Sequence, residues 1–213
     1  MTFALLAADP AARMGALALA MAAELRSVDE AAALAQLDEL GAEVRVAAAE
    51  SGDELGAIAM VLGGEYGFAG AREEYDHPDH SMLDLVLEHR RGLPIALSVV
   101  YVETARRAGI ALDGVGLSGH YVVGQFRRGA GPVLLDPFAG GGRTRAPDPS
   151  EVRRWGAHET ALRMLNNLVG SYTRRNDLGR AIRAAELRLE LPLEPVLHEA
   201  LLAELRGLRA RLN

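Results

Sequence analysis

A histidine and an aspartate stand in two neighbouring apolar segments of the sequence. His120 opens the run HYVVGQF, and Asp136 falls near the end of the run PVLLDPF. An imidazole that is oriented by a carboxylate forms the acid–base half of a catalytic triad. The chemistry also needs a nucleophile within hydrogen-bond reach of the imidazole. The chain contains no cysteine, so a thiol cannot be that nucleophile.

Composition limits the classes of function that the chain can have. Its 213 residues, 49% hydrophobic and 24% charged, are typical of an ordinary globular protein. The net charge of −6 argues against nucleic-acid binding, which usually needs a basic face. No apolar run approaches the length of a membrane span, so we expect no membrane partner. The absence of cysteine excludes disulfides and thiolate metal sites and fits a cytoplasmic location.

Residues 1–65 predict helices. The tetrads that start at Ser27 and Ser51 both have capping-box spacing, in which two side chains satisfy each other's backbone donors. Apolar residues then recur every three or four positions after Ser27, as on one face of a helix. Gly41 lies inside this stripe and weakens the prediction of one unbroken helix.

The middle of the chain predicts a buried helix followed by a small sheet. The segment PIALSVVYVETARRA starts at Pro94, a residue tolerated in a first helical turn, and ends before Gly109. Short apolar runs between Asp113 and Phe138 predict strands, with a hairpin connection at RRGAG. The stretch AGGGRTRAPDPS predicts a linker or exposed loop. Helices return beyond it, and this order is typical of an α+β fold.

Several sequence blocks together resemble one family. They are GEYGFAGAREEYDHPDHSMLDLVLEHRRG, LPIALSVVYVETARRAGIALDGVGLSGHYVVGQF, VLLDPF and LRMLNNLVGSYTRRNDLGRAIRAAELRLELP. In order and spacing they are similar to the transglutaminase-like domain of SirB-type bacterial proteins, over roughly residues 30–192. The resemblance implies a papain/transglutaminase-like core of helices packed on a small antiparallel sheet. It also implies N-terminal helices and a C-terminal helical tail similar to a tetratricopeptide repeat.

The resemblance also suggests how the chain is divided. Residues 1–65 form an N-terminal helical segment that belongs to the core domain, residues 66–145 form the transglutaminase-like core, and residues 146–213 form the helical tail. The apolar stripe and the alanines of the tail predict that it packs as helices against the core.

Enzymes of this superfamily use a cysteine at a helix N-terminus, a histidine on a strand and an aspartate on the next strand. The resemblance places His120 and Asp136 at the last two positions and Pro94 at the first. Proline carries no nucleophile, and the SirB-type branch usually has proline here. The candidates to line the cleft are Arg91, Ser98, Ser118 and Tyr121. Ser98 is the nearest hydroxyl in sequence, but it lies one turn farther along the helix, so we do not expect it to attack.

The segment YDHPDHS raises the possibility of a metal site. His77, Asp79 and His80 lie close together, but a metal site would need a remote third ligand that the sequence does not show. Polar turn chemistry around the proline explains the same residues. We therefore expect neither a metal nor a cofactor.

Two functions remain open. The sequence favours a non-catalytic, pseudoenzyme-like protein with a binding or regulatory role through its cleft and helical tail, and with a protein or peptide as partner. The triad-like positions His120 and Asp136 would then be vestigial. The alternative is a hydrolase or peptidase of the same fold, with a non-cysteine nucleophile or a water activated by His120 and Asp136. The missing nucleophile argues against an enzyme.

Overall fold

A computed structural model describes residues 2–146 and 148–212, and the chain is mainly helical with two small sheets. Within these residues the α-helices are Phe3–Ala7 (α1), Met14–Ala23 (α2), Glu30–Ser51 (α3), Glu54–Ile58 (α4), Leu83–His89 (α5), Pro94–Ala108 (α6), Ala157–Arg174 (α7), Leu178–Glu190 (α8) and Pro195–Ala210 (α9). A π-helical segment, Ala59–Glu65, continues α4. Single 3-10 turns cover Pro78–Ser81, Pro137–Ala139 and Pro149–Glu151. The predicted α+β class is confirmed.

The strands form one parallel pair and one antiparallel sheet. Ala69–Gly70 (β1) pairs with Arg91–Gly92 (β2). The second sheet has the order Asp113–Leu117 (β3), His120–Gln125 (β4), Val133–Asp136 (β5) and Gly142–Thr144 (β6), so each strand pairs with the next along the chain.

The fourth strand of this sheet corrects the prediction of a linker after Phe138. Gly140 and Gly141 have φ of 81° and 83°, conformations that favour glycine and that turn the chain back toward β5. Thr144 then pairs with Leu134. The glycines that suggested a linker therefore form the connection into a strand.

Helix α6 is the centre of the core, as its sequence predicted. It begins at Pro94 and ends at Gly109, whose φ is 81°. The helix packs against α3 on one side and against β4 on another. Gly41 does not break α3, because it lies where the two helices meet: a Cβ there would be 2.4 Å from Cβ of Arg107. Absence of a side chain at Gly41 lets the helices approach.

Aspartates, and not the predicted serines, cap the helices near residues 30 and 54. The carboxylate of Asp29 accepts from Ala32 N at 3.0 Å, and that of Asp53 accepts from Gly56 N at 3.0 Å. Ser51 is the last residue of α3, and its hydroxyl donates to Ala47 O. An aspartate two residues after each serine competes for the cap because its carboxylate also favours the positive end of the helix dipole.

The C-terminal helices α7 and α8 pack against the N-terminal helices. Buried side chains of α7 and α8 belong to the same apolar cluster as those of α2 and α6. Arg183 of α8 donates to Glu24, at the end of α2, over 2.7 Å, and Arg180 donates to Leu25 O. The tail is therefore attached to the first helices of the chain. None of the helices in the described residues has the length and apolar character needed to cross a membrane.

Candidate active site

His120 and Asp136 contact each other at one end of the antiparallel sheet. His120 is the first residue of β4 and follows a tight turn at Gly119, whose φ is 71°. Asp136 is the last residue of the adjacent strand β5. His120 Nε2 and Asp136 Oδ2 are 3.0 Å apart, and the two side chains are 32% and 19% exposed. The pair is thus partly shielded but open on one side.

The second oxygen of Asp136 holds the turn that follows β5. Oδ1 accepts from Phe138 N at 2.9 Å and from Ala139 N at 3.3 Å. Burial alone would raise the pKa of Asp136, but the hydrogen bond and charge of His120 and these two N–H groups lower it below its ordinary value. Asp136 is therefore a carboxylate at neutral pH, as an orienting partner for an imidazole must be.

This lowered pKa predicts a pH-dependent contribution to stability. An aspartate with a depressed pKa in the folded state stabilises the protein above its unfolded pKa, and that contribution is lost as pH falls through the folded pKa. Asp136→Asn keeps an oxygen that accepts from Phe138 N but removes the charge. At neutral pH it should lower the free energy of unfolding by about 1–2 kcal/mol. Urea unfolding at a series of pH values checks this: the difference from wild type should shrink toward acid pH, and a constant difference would refute it.

A row of aromatic rings extends from the His–Asp pair. The rings of His120 and Phe138 meet edge to face with centroids 6.2 Å apart, and Phe138 meets Tyr75 at 6.0 Å. Gly70 allows this packing, since a Cβ there would lie 2.4 Å from the Phe138 ring. Tyr75 is 48% exposed. The row therefore leads from a shielded polar pair to the surface.

A cleft of about 510 Å³ begins beside this row. Gly70, which packs on Phe138, lines it together with His80 and Arg91. His80 O accepts from Leu93 N at 2.8 Å, which joins the cleft wall to the start of α6. Arg91 Nη1 donates to Gly67 O at 2.6 Å. Among the predicted cleft residues, Arg91 thus lines a cleft, and its guanidinium also supports the backbone of the β1 loop.

Among the residues that the structure describes, no hydroxyl is hydrogen-bonded to the His120 imidazole. Pro94 is buried in the first turn of α6. Ser98 is fully buried, and its Oγ has no hydrogen-bond partner in the described part of the chain. Tyr101 Oη is also buried and has no hydrogen-bond partner among the described residues. Burial raises the pKa of Tyr101 strongly, and the nearby charge of Asp136 raises it further. A nucleophile must reach its base by a hydrogen bond, and neither hydroxyl does so.

Two of the predicted cleft residues lie elsewhere. Tyr121 is next to His120 on β4 and so points to the opposite face of the sheet, where it is 1% exposed. Its hydroxyl is 2.7 Å from Thr160 Oγ1, and its ring meets that of Trp155 edge to face. Ser118 is exposed in the turn before β4, and its N–H donates to Glu151. Neither Ser118 nor Tyr121 is among the residues that line the cleft beside Gly70.

Arg163 is a supporting residue that the sequence did not suggest. It lies on α7 and donates to Leu117 O at 3.1 Å and to His120 O at 2.9 Å. Its guanidinium also lies 5.6 Å from the centroid of the Tyr121 ring. Helix α7 thus fixes the backbone of the turn that carries His120. No signal in the sequence marks this arginine, because its partners are carbonyl groups more than forty residues earlier.

The histidines of YDHPDHS lie in and just before the 3-10 turn at residues 78–81. His77 Nδ1 accepts from Asp79 N at 3.3 Å, as polar turn chemistry requires. Within the described residues, no group of three possible ligands is arranged to hold a metal ion.

Comparisons with known proteins agree with this fold. A model of the transglutaminase-like superfamily matches residues 31–183. A UPF0162 protein of Xylella fastidiosa strain 9a5c is 36% identical over 152 residues, which cover 61% of this chain and 53% of that protein. A second, from strain Temecula1, is 37% identical over 149 residues with the same coverage. A UPF0162 protein of Pseudomonas aeruginosa is 38% identical over 88 residues, 41% of this chain and 31% of its own.

The chain spans about half the length of the two Xylella relatives. No solved structure gives a significant match. The family model nevertheless covers most of the sequence, including α6, the His–Asp pair and α7. The chain therefore belongs to the transglutaminase-like superfamily, as a SirB-type member.

Proposed function

We propose that this protein is a non-catalytic recognition module whose cleft binds a protein or peptide segment. One observation carries the proposal: His120 is hydrogen-bonded to Asp136, while no hydroxyl among the described residues is hydrogen-bonded to the imidazole. The family resemblance, which puts Pro94 at the nucleophile position, supports the same reading. An oriented imidazole without a nucleophile remains a hydrogen-bonding group, since its second nitrogen, Nδ1, is not used by Asp136. Such a group can recognise a ligand without transforming it.

The surroundings of the pair suit an extended peptide. The half-exposed ring of Tyr75 and the ring of Phe138 offer apolar contacts, and Gly70 and Ala71 line the adjoining cleft. Sites that bind ligands combine apolar rings with a few fixed polar groups in this way. The polar groups of the cleft are Arg72, Glu73, Glu74, His80 and Arg91, and His120 lies on the other side of Phe138. The cytoplasm, where thiols stay reduced, is the compartment that we propose for a chain without cysteine.

The alternative function is hydrolysis by an activated water. The lowered pKa of Asp136 favours this reading, because a charged aspartate would stabilise an imidazolium formed during proton abstraction. A water attack would lack the covalent intermediate that a thiolate provides. We place hydrolysis second because no hydroxyl among the described residues is hydrogen-bonded to the imidazole.

The proposal can be tested with acetyl-Gln-Gly as the probe peptide and the full chain labelled for NMR. We expect a saturable shift of the His120 imidazole signals and no released ammonia or glycine. The shift should also appear in His89→Ala, a control in which an exposed histidine of α5 is removed. Absence of any His120 shift at saturating peptide would reject the cleft as a peptide site, and product formation would support the hydrolase.

A further inference from the structure

A second groove, of about 520 Å³, lies among the last three helices. Val169 of α7 and Leu201 and Leu208 of α9 give it apolar walls. Thr173 and Arg188 also line it and are its most buried polar groups. The groove shares no lining residue with the cleft beside Phe138. Any ligand here would therefore be independent of the His–Asp pair.

Arg188 is an unusual residue for this position. Its side chain is 3% exposed, although a buried arginine normally has all its donors paired. Nη1 donates to Asn166 Oδ1 at 3.0 Å and lies 2.9 Å from Glu204 Oε2. Nε and Nη2 are buried and have no partner among the residues that the structure describes. Thr173 Oγ1, in the same groove, is also buried and without one.

The geometry of the two unpaired nitrogens indicates which kind of acceptor could pair with both. Nε–H and one N–H of Nη2 point in parallel from one edge of the planar guanidinium, and that edge matches the two oxygens of a carboxylate. A single water could accept from both donors but has no charge, whereas a carboxylate offers one oxygen to each donor together with a negative charge. Simple packing does not explain an arginine here, since an apolar side chain of similar size fills a buried position without unpaired donors.

The charges around the groove also favour an anion. Arg174 stands at its rim beside Gly170, where a Cβ would lie 3.1 Å from Arg174 Nη1. Arg174 Nε donates to Asp76 Oδ2, and Asp76 is not part of the groove lining. Glu204 is the acidic residue that lines the groove, against Arg174 and Arg188. The lining therefore has a formal excess of one positive charge.

We propose that this groove binds a carboxylate carried by an aliphatic residue, as at the C-terminus of a peptide. The carboxylate would accept from Arg188 Nε and Nη2 and from Thr173, and the aliphatic group would contact Val169 and Leu201. Both nitrogens are shielded from solvent, so entry requires α9 to move outward. This helix is the last one that the structure describes, and it packs on α8; its buried residues are Leu201, Leu205 and Leu208.

The test uses the full chain with N-acetylleucine and N-acetylleucinamide as probes, followed by NMR or calorimetry. We expect saturable binding of the acid and affinity weaker by about tenfold or more for the amide, because the amide removes the charge and one acceptor oxygen. Arg188→Met should fold and lose binding by about tenfold or more. Arg206→Met, which removes an exposed arginine of α9, is the matched control and should bind as wild type does.

Thr173→Val provides a second variant that removes only one hydroxyl, and it should weaken binding of the acid by about threefold or more. Equal affinity for acid and amide, or unchanged affinity in both Arg188→Met and Thr173→Val, would overturn the proposal. Binding of inorganic phosphate but not of N-acetylleucine, lost in Arg188→Met, would overturn the carboxylate assignment. None of these results depends on His120, so they leave the function proposed for the cleft untouched.

Discussion

Replacing Leu165 by alanine should lower the free energy of unfolding by about 2–5 kcal/mol, the range for a leucine deleted from a packed core. Leu165 lies on α7, is fully buried and belongs to the apolar cluster shared with the N-terminal helices. If the tail is part of this core, the variant should still unfold in one transition, with a lower urea midpoint. The measurement is urea unfolding followed by circular dichroism.

Val196→Ala is the matched control for this experiment. Val196 lies at the start of α9 and is 85% exposed, so its replacement should change stability by no more than about 0.5 kcal/mol. Two separate transitions, with only the earlier one sensitive to Leu165→Ala, would show that the tail folds apart from the rest of the chain and would contradict the shared core.

Gly63→Ala should destabilise the protein by about 1–3 kcal/mol, because it forces two backbones apart. A Cβ at Gly63 would lie 1.9 Å from Gly140 O and 2.7 Å from Gly140 C. A carbonyl group cannot rotate away as a side chain can, and φ is already 81° at Gly140. The same loop donates Gly141 N to Asp136 O at 2.7 Å. The substitution should therefore also shift the NMR signals of the His120 imidazole.

The adjacent residue supplies the control. Gly64 belongs to the same π-helical segment, but a Cβ there meets nothing within 4 Å. Gly64→Ala should be neutral or stabilising by up to about 1 kcal/mol, since alanine loses less backbone freedom in a helix. Equal stability of Gly63→Ala and Gly64→Ala would mean that the loop after Asp136 does not contact this helix as described.

The sequence predicted the parts of the fold that local patterns determine. Pro94 and Gly109 marked the central helix because proline and glycine act on the backbone of their own neighbourhood. The strands bearing His120 and Asp136 followed from short apolar runs. Strand β6 was missed because its pairing depends on the turn at Gly140 and Gly141, and glycine runs look the same in a linker and in a tight turn.

The candidate site was predicted less completely. Residue spacing and family resemblance suggested the His120–Asp136 pair, but the aromatic packing of Phe138 needs Gly70, which is distant in sequence. Arg163, on a helix of the tail, supports His120 by donating to two backbone carbonyl groups. The unpaired donors of Arg188 appear only once three helices are assembled. Contacts of this kind depend on tertiary packing, and periodicity carries no information about them.

The most direct test of the central claim is an assay of glutamine-containing peptides for released ammonia and for peptide-bond cleavage. Wild type and His120→Ala should be measured side by side, at protein concentrations high enough to detect slow turnover. If the protein is a recognition module, neither should exceed the rate without protein, because Pro94 replaces the nucleophile. Turnover by wild type that disappears in His120→Ala would contradict this account and establish a hydrolase that uses His120 and Asp136.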